Sequence, residues 1–452
     1  MKLRKYKERN NIVRVIIVFT ILCVFALSGV FLYNSFAVFT EEKNFNVING
    51  EASDPGDIYF AYYVDGSITR SMPSQNTGYT LDTKKSNCTN GVVPNWNDEK
   101  WEFIGDYDNY NATDYTRTRC NLYFIKKIVP DIISNFKIYD TIPDYKKNAC
   151  DTYCEDNISG VYKTLDDDGT SYYFRGSPTN NYVKFAGFYW RIIRINGNGS
   201  IRIIYDGTVA HDNNESSSNR IYQFAPFSIY TGDNMYVGYM YEAGNVHGLK
   251  NSSNVKNILD NFYATSLINY DNMIDYGSSF CGDRTMINFY TANAGIGNTK
   301  TFYSGLGRLL AGTPTLKCPE NLDNYTTNKT TKGNKALTYP IGLISMDEAH
   351  MAGYGSVVSV GYHNLEVPYS NPLNYLNTGY PWWTMTPVQN GVVYGTTESI
   401  TSVFQIAGQY LDDNRVQETR GGGIGIRPVI NLKGTLKFTG DGTKNNPFIP
   451  NI

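Results

Sequence analysis

Histidine is nearly missing. The 452 residues contain four, His211, His247, His350 and His363, and none falls into H-E-x-x-H or a comparable ligand spacing. Zinc-hydrolase chemistry therefore has no support in the sequence, and each histidine is expected at the surface. No G-x-S-x-G nucleophile elbow occurs either, and "GLGRLLAG" misses the spacing of a dinucleotide loop. Ser253-Asn254-Val255-Lys256 spells S-x-x-K, the nucleophile motif of penicillin-binding enzymes, without the companion S-D-N and K-T-G elements. Ser253 is instead expected to cap a helix starting at Val255. Charge is sparse too, at 18% of residues. The first 14 residues hold six basic side chains and one acidic one; setting these aside from the 40 basic and 42 acidic residues leaves a net charge of −7. Phosphate binding is driven by clustered Lys and Arg, which are lacking beyond that flank, so nucleic acid is excluded as a partner. Carboxylates are plentiful, and a glycosidase pair among them stays open because its separation is set only in three dimensions.

What is present begins with the flank. Lys2, Arg4, Lys5, Lys7, Arg9 and Arg14 precede an uncharged run from Val15 to Tyr33, 19 residues long and close to the ~20 that span a bilayer as a helix. Residues 1–40 are thus expected to be a cytoplasmic basic flank and a transmembrane signal-anchor, N-terminus inside and the rest outside, by the positive-inside bias. The alternative is secretion after cleavage near Ala37, where Ser35-Phe36-Ala37 resembles a signal-peptidase site; the run exceeds the ~7–15 apolar residues of an ordinary signal, which favours the anchor. Six cysteines then lie outside: Cys88, Cys120, Cys150, Cys154, Cys281 and Cys318. An even number in an exported chain points to disulfides, and the local pairing 88–120, 150–154 and 281–318 keeps each bridge within one segment. No four-ligand zinc set accompanies Cys150 and Cys154, so no metal and no cofactor are expected.

Residues 41–126 read as a small β module. "GDIYFAYYVDGSITR" carries a Val-Asp-Gly-Ser hairpin turn, and "KWEFIGDY" and "TRTRCNLYFIKK" are β-branched and aromatic. Residues 127–170 read as a connector in which Asp166-Asp167-Asp168-Gly169 is a solvated turn, lacking the spaced carboxylates of a calcium loop. A domain over 171–436 opens with strands around Asn196-Gly197-Asn198-Gly199. Val255, Ile258, Leu259 and Phe262 share one helical face, and Ser345 with Glu348 forms a capping box before a second helix stopping near Gly353. Strands are expected over 392–397, 402–406, 425–432 and 435–438. Stretches 208–252 and 275–338 read as long surface loops or insertions, and 437–452 as a tail.

Tyr380-Pro381-Trp382-Trp383-Thr384-Met385-Thr386-Pro387, followed by Gly423-Ile424-Gly425-Ile426-Arg427-Pro428-Val429-Ile430, resembles the W-W-x-x-S/T-P … G-V-R-P-A/V signature of bacterial surface domains of unknown function. "FYWRIIRI", "IGLISMDEA", "FCGDR", "LKCP" and "TGDGTKNNPFI" fit the same resemblance. Such domains are similar to the formylglycine-generating-enzyme branch of the C-type-lectin-like fold. The resemblance implies an α+β domain with two helices, a twisted antiparallel sheet and long loops. Two departures limit it. No Glu-Pro-Asn or Gln-Pro-Asp triplet supports a calcium-sugar site, and no cysteine follows Cys318 to supply the enzyme's reactive pair.

Within a strand, Trp382 and Trp383 face opposite sides, so one is expected in the core near Arg427 and the other at a surface, with Pro387 ending the ladder. The alternative packs both. Tyr380, Tyr394, Gln405, Tyr410 and Arg415 share the segment and complete the candidate ligand face, with Pro387 and Arg427 as its structural support. The function expected is a membrane-anchored, extracellular, non-catalytic adhesion or binding protein with a protein or glycan ligand. An extracellular hydrolase on the same fold and a structural envelope protein are the alternatives.

Overall fold

The structure, a computed structural model, describes residues 58–73, 79–82, 85–89, 95–97, 102–104, 118–126, 131–147, 158–230, 234–287, 301–356, 359–360, 363–364, 373–392, 399–407, 410–416 and 423–451. The Val15–Tyr33 run, Cys150, Cys154 and Tyr394 lie outside these residues. No helix among the described residues is long and apolar enough to cross a membrane. The chain divides into two compact units, Met1–Lys127 and Ile128–Ile452.

In the first unit, Ile58–Val64 and Ser67–Thr69 form the hairpin expected at Val-Asp-Gly-Ser. Asp65 (φ 49°) and Gly66 (φ 83°) both take the left-handed region that a tight two-residue turn requires. Thr118–Lys126 is the central strand, parallel to Ile58–Val64 and antiparallel to Tyr79–Leu81 and Asn87–Cys88. Strand alternation buries Cys120, Leu122 and Phe124 with Tyr62 and Leu81, while Ile125 faces out. Cys88 and Cys120 are register partners joined by a disulfide.

Among its described residues the second unit is α+β, richer in strand than in helix, with two eight-stranded sheets and three short α-helices. One sheet runs Ile341–Gly342, Val429–Leu432, Ile201–Gly207, Phe188–Ile195, Gly169–Arg175, Gly160–Asp166 and Ile138–Tyr139, with Tyr182–Phe185 also on Phe188–Ile195. The other runs Gln223–Ala225, Ile424–Ile426, Trp382–Val392, Ser399–Ala407, Tyr410–Arg415 and Gly355–Ser356, with Thr301–Tyr303 and Met286–Ile287 attached. Arg427-Pro428 is the joint by which one chain segment leaves the second sheet and enters the first.

The Phe188–Ile195/Ile201–Gly207 pair forms where Asn196 to Gly199 predicts a hairpin. In the helix Asn254–Phe262, Ser253 Oγ accepts from Lys256 N at 3.1 Å, which makes Ser253 a cap, and Val255, Leu259 and Phe262 are fully buried. The Ser345/Glu348 capping box opens the helix Met346–Met351. The third helix, Ser304–Ala311, stands where the sequence reads as loop. Its glycines disguise it, yet Gly305 is what lets it approach: a Cβ there would meet Thr386 Cγ2 at 2.7 Å.

Three boundaries are corrected. Residues 160–170, expected in the connector, form with 171–175 a hairpin of the first sheet, and the Asp run is its turn. Phe448 of the supposed tail is fully buried and bridges to Val183. The described parts of the stretches 208–252 and 275–338 bury Phe227, Val237, Tyr239, Phe280 and Tyr325 completely, so they are packed segments, the second of them carrying the helix Ser304–Ala311. Polar spacing hid these anchors, because each is a single aromatic or aliphatic residue among Asn, Gly and Ser.

Candidate functional site

The strand Trp382–Val392 is central, and both of its faces are roofed. Trp382 and Trp383 do point to opposite sides, but each is fully buried, so the expectation that one reaches a surface is corrected. Arg427 sits over the Trp382 ring at 4.8 Å. On the other face Trp383 Nε1 donates to Ala225 O at 2.9 Å and Phe227 packs edge-on against its ring. Nor does Pro387 end the ladder. It pairs with Val403 inside a bulge, and the strand continues to Val392. Gln405 is 5% exposed; Tyr380 is exposed and packs on Phe224. Tyr410 and Arg415 lie on the strand Tyr410–Arg415.

The joint at Arg427 is held by charge. Asp206 Oδ1 accepts from Arg220 Nε at 2.8 Å and Arg427 Nη2 at 2.9 Å, with all three side chains fully buried. Arg427 also donates to Tyr205 O and Leu376 O, and Arg220 to Tyr375 O and Asn377 O. Burial pushes Arg427 down to about 9, opposed by Asp206 and reinforced by the charge of Arg220.

A pocket enclosing about 370 Å³, part of it open solvent, lies where Ser345, Asp347 and Glu348 meet Arg194, Arg202 and Arg308 beside Cys281. Cys281 is bridged to Cys318, as the local pairing expects. Glu348 Oε1 takes Arg194 Nε at 2.8 Å and lies 2.6 Å from Arg202 Nε, an ion contact without hydrogen-bond alignment; its Oε2 takes Ser345 N at 2.9 Å. Burial alone would raise the Glu348 carboxyl, but Arg202 and Arg194 together hold it below its ordinary value. Asp347 is gripped in two-pronged fashion by Arg308, Nε to Oδ1 at 2.7 Å and Nη2 to Oδ2 at 2.8 Å. There burial wins, and the Asp347 carboxyl is raised despite Arg308. The Asp run is engaged as well. Asp166 pairs with Arg194, Asp168 with Lys332, and Asp167 accepts from Cys318 N, so the expected solvated turn is corrected. Desolvation raises Asp167.

Of the three histidines whose side chains are described, His211, His247 and His350, two are buried, against expectation. His350 Nδ1 donates to Tyr354 O at 2.7 Å, and burial lowers the ring to about 4. His211 lies between Glu215 and Asn219. His247 reaches Asp323 Oδ2 at 2.9 Å, and that hydrogen bond raises it. None of these three lines the pocket.

A feature unseen in the sequence is a surface cluster of tyrosines. Tyr230 and Tyr236 stack at 5.2 Å, and Tyr241 stands edge-on to them at 6.0 and 5.2 Å. The only signal for it was tyrosine abundance, 38 residues in all, which does not distinguish one tyrosine from another. No family model, curated protein or solved structure matches the chain.

Proposed function

We propose that the chain is a membrane-anchored, extracellular binding protein without catalytic activity, its second unit a relative of the C-type-lectin-like domains. The observation that carries the reading is the state of the pocket's acids. Glu348 is clamped by the buried Arg194 and Arg202 and Asp347 by the half-buried Arg308, the third acid, Asp167, accepts from Cys318 N, and no histidine with a described side chain lines the pocket. A general acid or base must be free to exchange a proton with a substrate, so this pair is ill suited to that work and well suited to fixing the walls of a rigid fold. Two disulfides agree with an oxidising, exported location.

Two experiments test the reading. External protease on intact cells should digest the chain beyond Glu41; full protection would sink the topology. A combined glycan and protein array probed with the full chain in detergent should show saturable capture of one ligand class. A flat array would refute a binding role.

A further inference from the structure

The three tyrosines differ from the rest of the tyrosine-rich surface in how they are mounted. Tyr236 belongs to the turn Asn234–Val237 and Tyr241 to the strand Met240–Tyr241, which pairs with Asn251–Ser252. Between them Val237 and Tyr239 are fully buried and Met240 is 7% exposed. Tyr239 donates to Ile341 O, while Arg284 Nη1, itself buried on Asp323, donates to Met240 O at 2.9 Å. On the other flank Phe227 is fully buried, Ser228 N donates to Val416 O, and Ser228 Oγ accepts from Tyr230 N. Tyr230 is 46% exposed and the neighbouring Ile229 61%. The rings are thus fixed from beneath by buried anchors and are presented in a set geometry.

Their chemistry is neutral and amphipathic. None of the three hydroxyls bonds to a described residue, and none of the three side chains makes an ion pair among the described residues. We infer that Tyr230, Tyr236 and Tyr241 form the ligand-contact patch of this protein and that its ligand is a neutral oligosaccharide. This rests on the binding role proposed above. A pyranose offers a face of C–H bonds to the negative face of an aromatic ring, and its hydroxyls match free phenol groups that both donate and accept. A protein partner fits less well, because a stable protein interface takes about 20–30 residues a side, whereas this patch is one small aromatic cluster with Ile229 at its edge.

The test uses the full chain in detergent and a printed array of short neutral hexose and N-acetylhexosamine oligomers, followed by calorimetric titration of the strongest. The expected result is saturable binding weakened roughly tenfold by Tyr236→Ala or Tyr241→Ala, about 1.4 kcal/mol. The Tyr→Phe variants, which keep the rings and the fold, should weaken it by a smaller factor, and Ile268→Ala, an exposed residue elsewhere, should not. Binding to none of the oligomers would overturn the inference. So would binding that folded Tyr→Ala and Tyr→Phe variants leave unchanged, or capture of a protein alone through these tyrosines. Capture of a glycan or protein at another face overturns only the patch, whereas cleavage of the oligomer overturns the binding role beneath it.

Discussion

Replacing Asp206 by Asn removes one negative charge from beneath two guanidinium groups and changes little else. The amide oxygen of Asn can still accept from Arg220 Nε and Arg427 Nη2, and the carbonyls of Tyr205, Tyr375, Leu376 and Asn377 still accept the remaining donors. Asp206 Oδ2, buried without a partner, gives way to an NH2 group that is equally unpartnered. What is lost is the counter-charge for two fully buried cations. Breaking a buried pair in this way costs about 3–5 kcal/mol, a large share of the ~5–15 kcal/mol that holds a domain together. Urea unfolding followed by tryptophan fluorescence reads the effect, since Trp190, Trp382 and Trp383 are all fully buried in this unit. The midpoint should fall strongly with an unchanged slope. A loss below about 1 kcal/mol would show that the carbonyls alone hold the guanidiniums, and would refute the charge-locked joint at Arg427.

Trp382→Ala and Trp383→Ala should each cost about 3–5 kcal/mol in the same assay, because both indoles are core; a near-neutral Trp383→Ala would return that ring to the surface. His350 has an ordinary value of 6.5 and is lowered to about 4 in the folded chain, so its contribution is fully present above pH 6.5 and is lost as pH falls through about 4. At about 1.36 kcal/mol per pH unit this is worth about 3 kcal/mol, and a His350→Phe variant that folds should lose about 3 kcal/mol less stability between pH 6.5 and pH 4; an identical loss would contradict it. Cys281 and Cys318 are 37 residues apart, and the double Ser variant should lose about 4 kcal/mol by the chain-entropy estimate; peptide mapping that finds either thiol free would remove the basis for it.

Local rules were legible in the sequence wherever chemistry and periodicity coincide. Ser253 and Ser345 cap their helices, Asp65-Gly66 and the Asn196–Gly199 stretch turn their hairpins, and two cysteine pairs close within their segments. Burial was not legible where the covering element is remote. Alternation sends Trp382 and Trp383 to opposite faces, but only remote segments, such as the one with Ala225 and Phe227 more than 150 positions away, decide that both rings are covered. The same holds for charge. Nothing local in the sequence joins Glu348 to Arg194, a separation of 154 residues that only folding closes. The ligand face expected over 380–415 failed for that reason at Trp382 and Trp383, and the Tyr230–Tyr236–Tyr241 cluster is built from a stretch whose periodicity carries no helix or strand signal.

The central claim is that this protein binds and does not convert. Its most direct test is to saturate the full chain with the strongest array ligand, hold the mixture through many binding half-lives, and weigh the recovered ligand by mass spectrometry. The account predicts a ligand of unchanged mass, recovered in full. A cleaved or modified ligand, formed in proportion to protein and absent when the chain is unfolded, would contradict it.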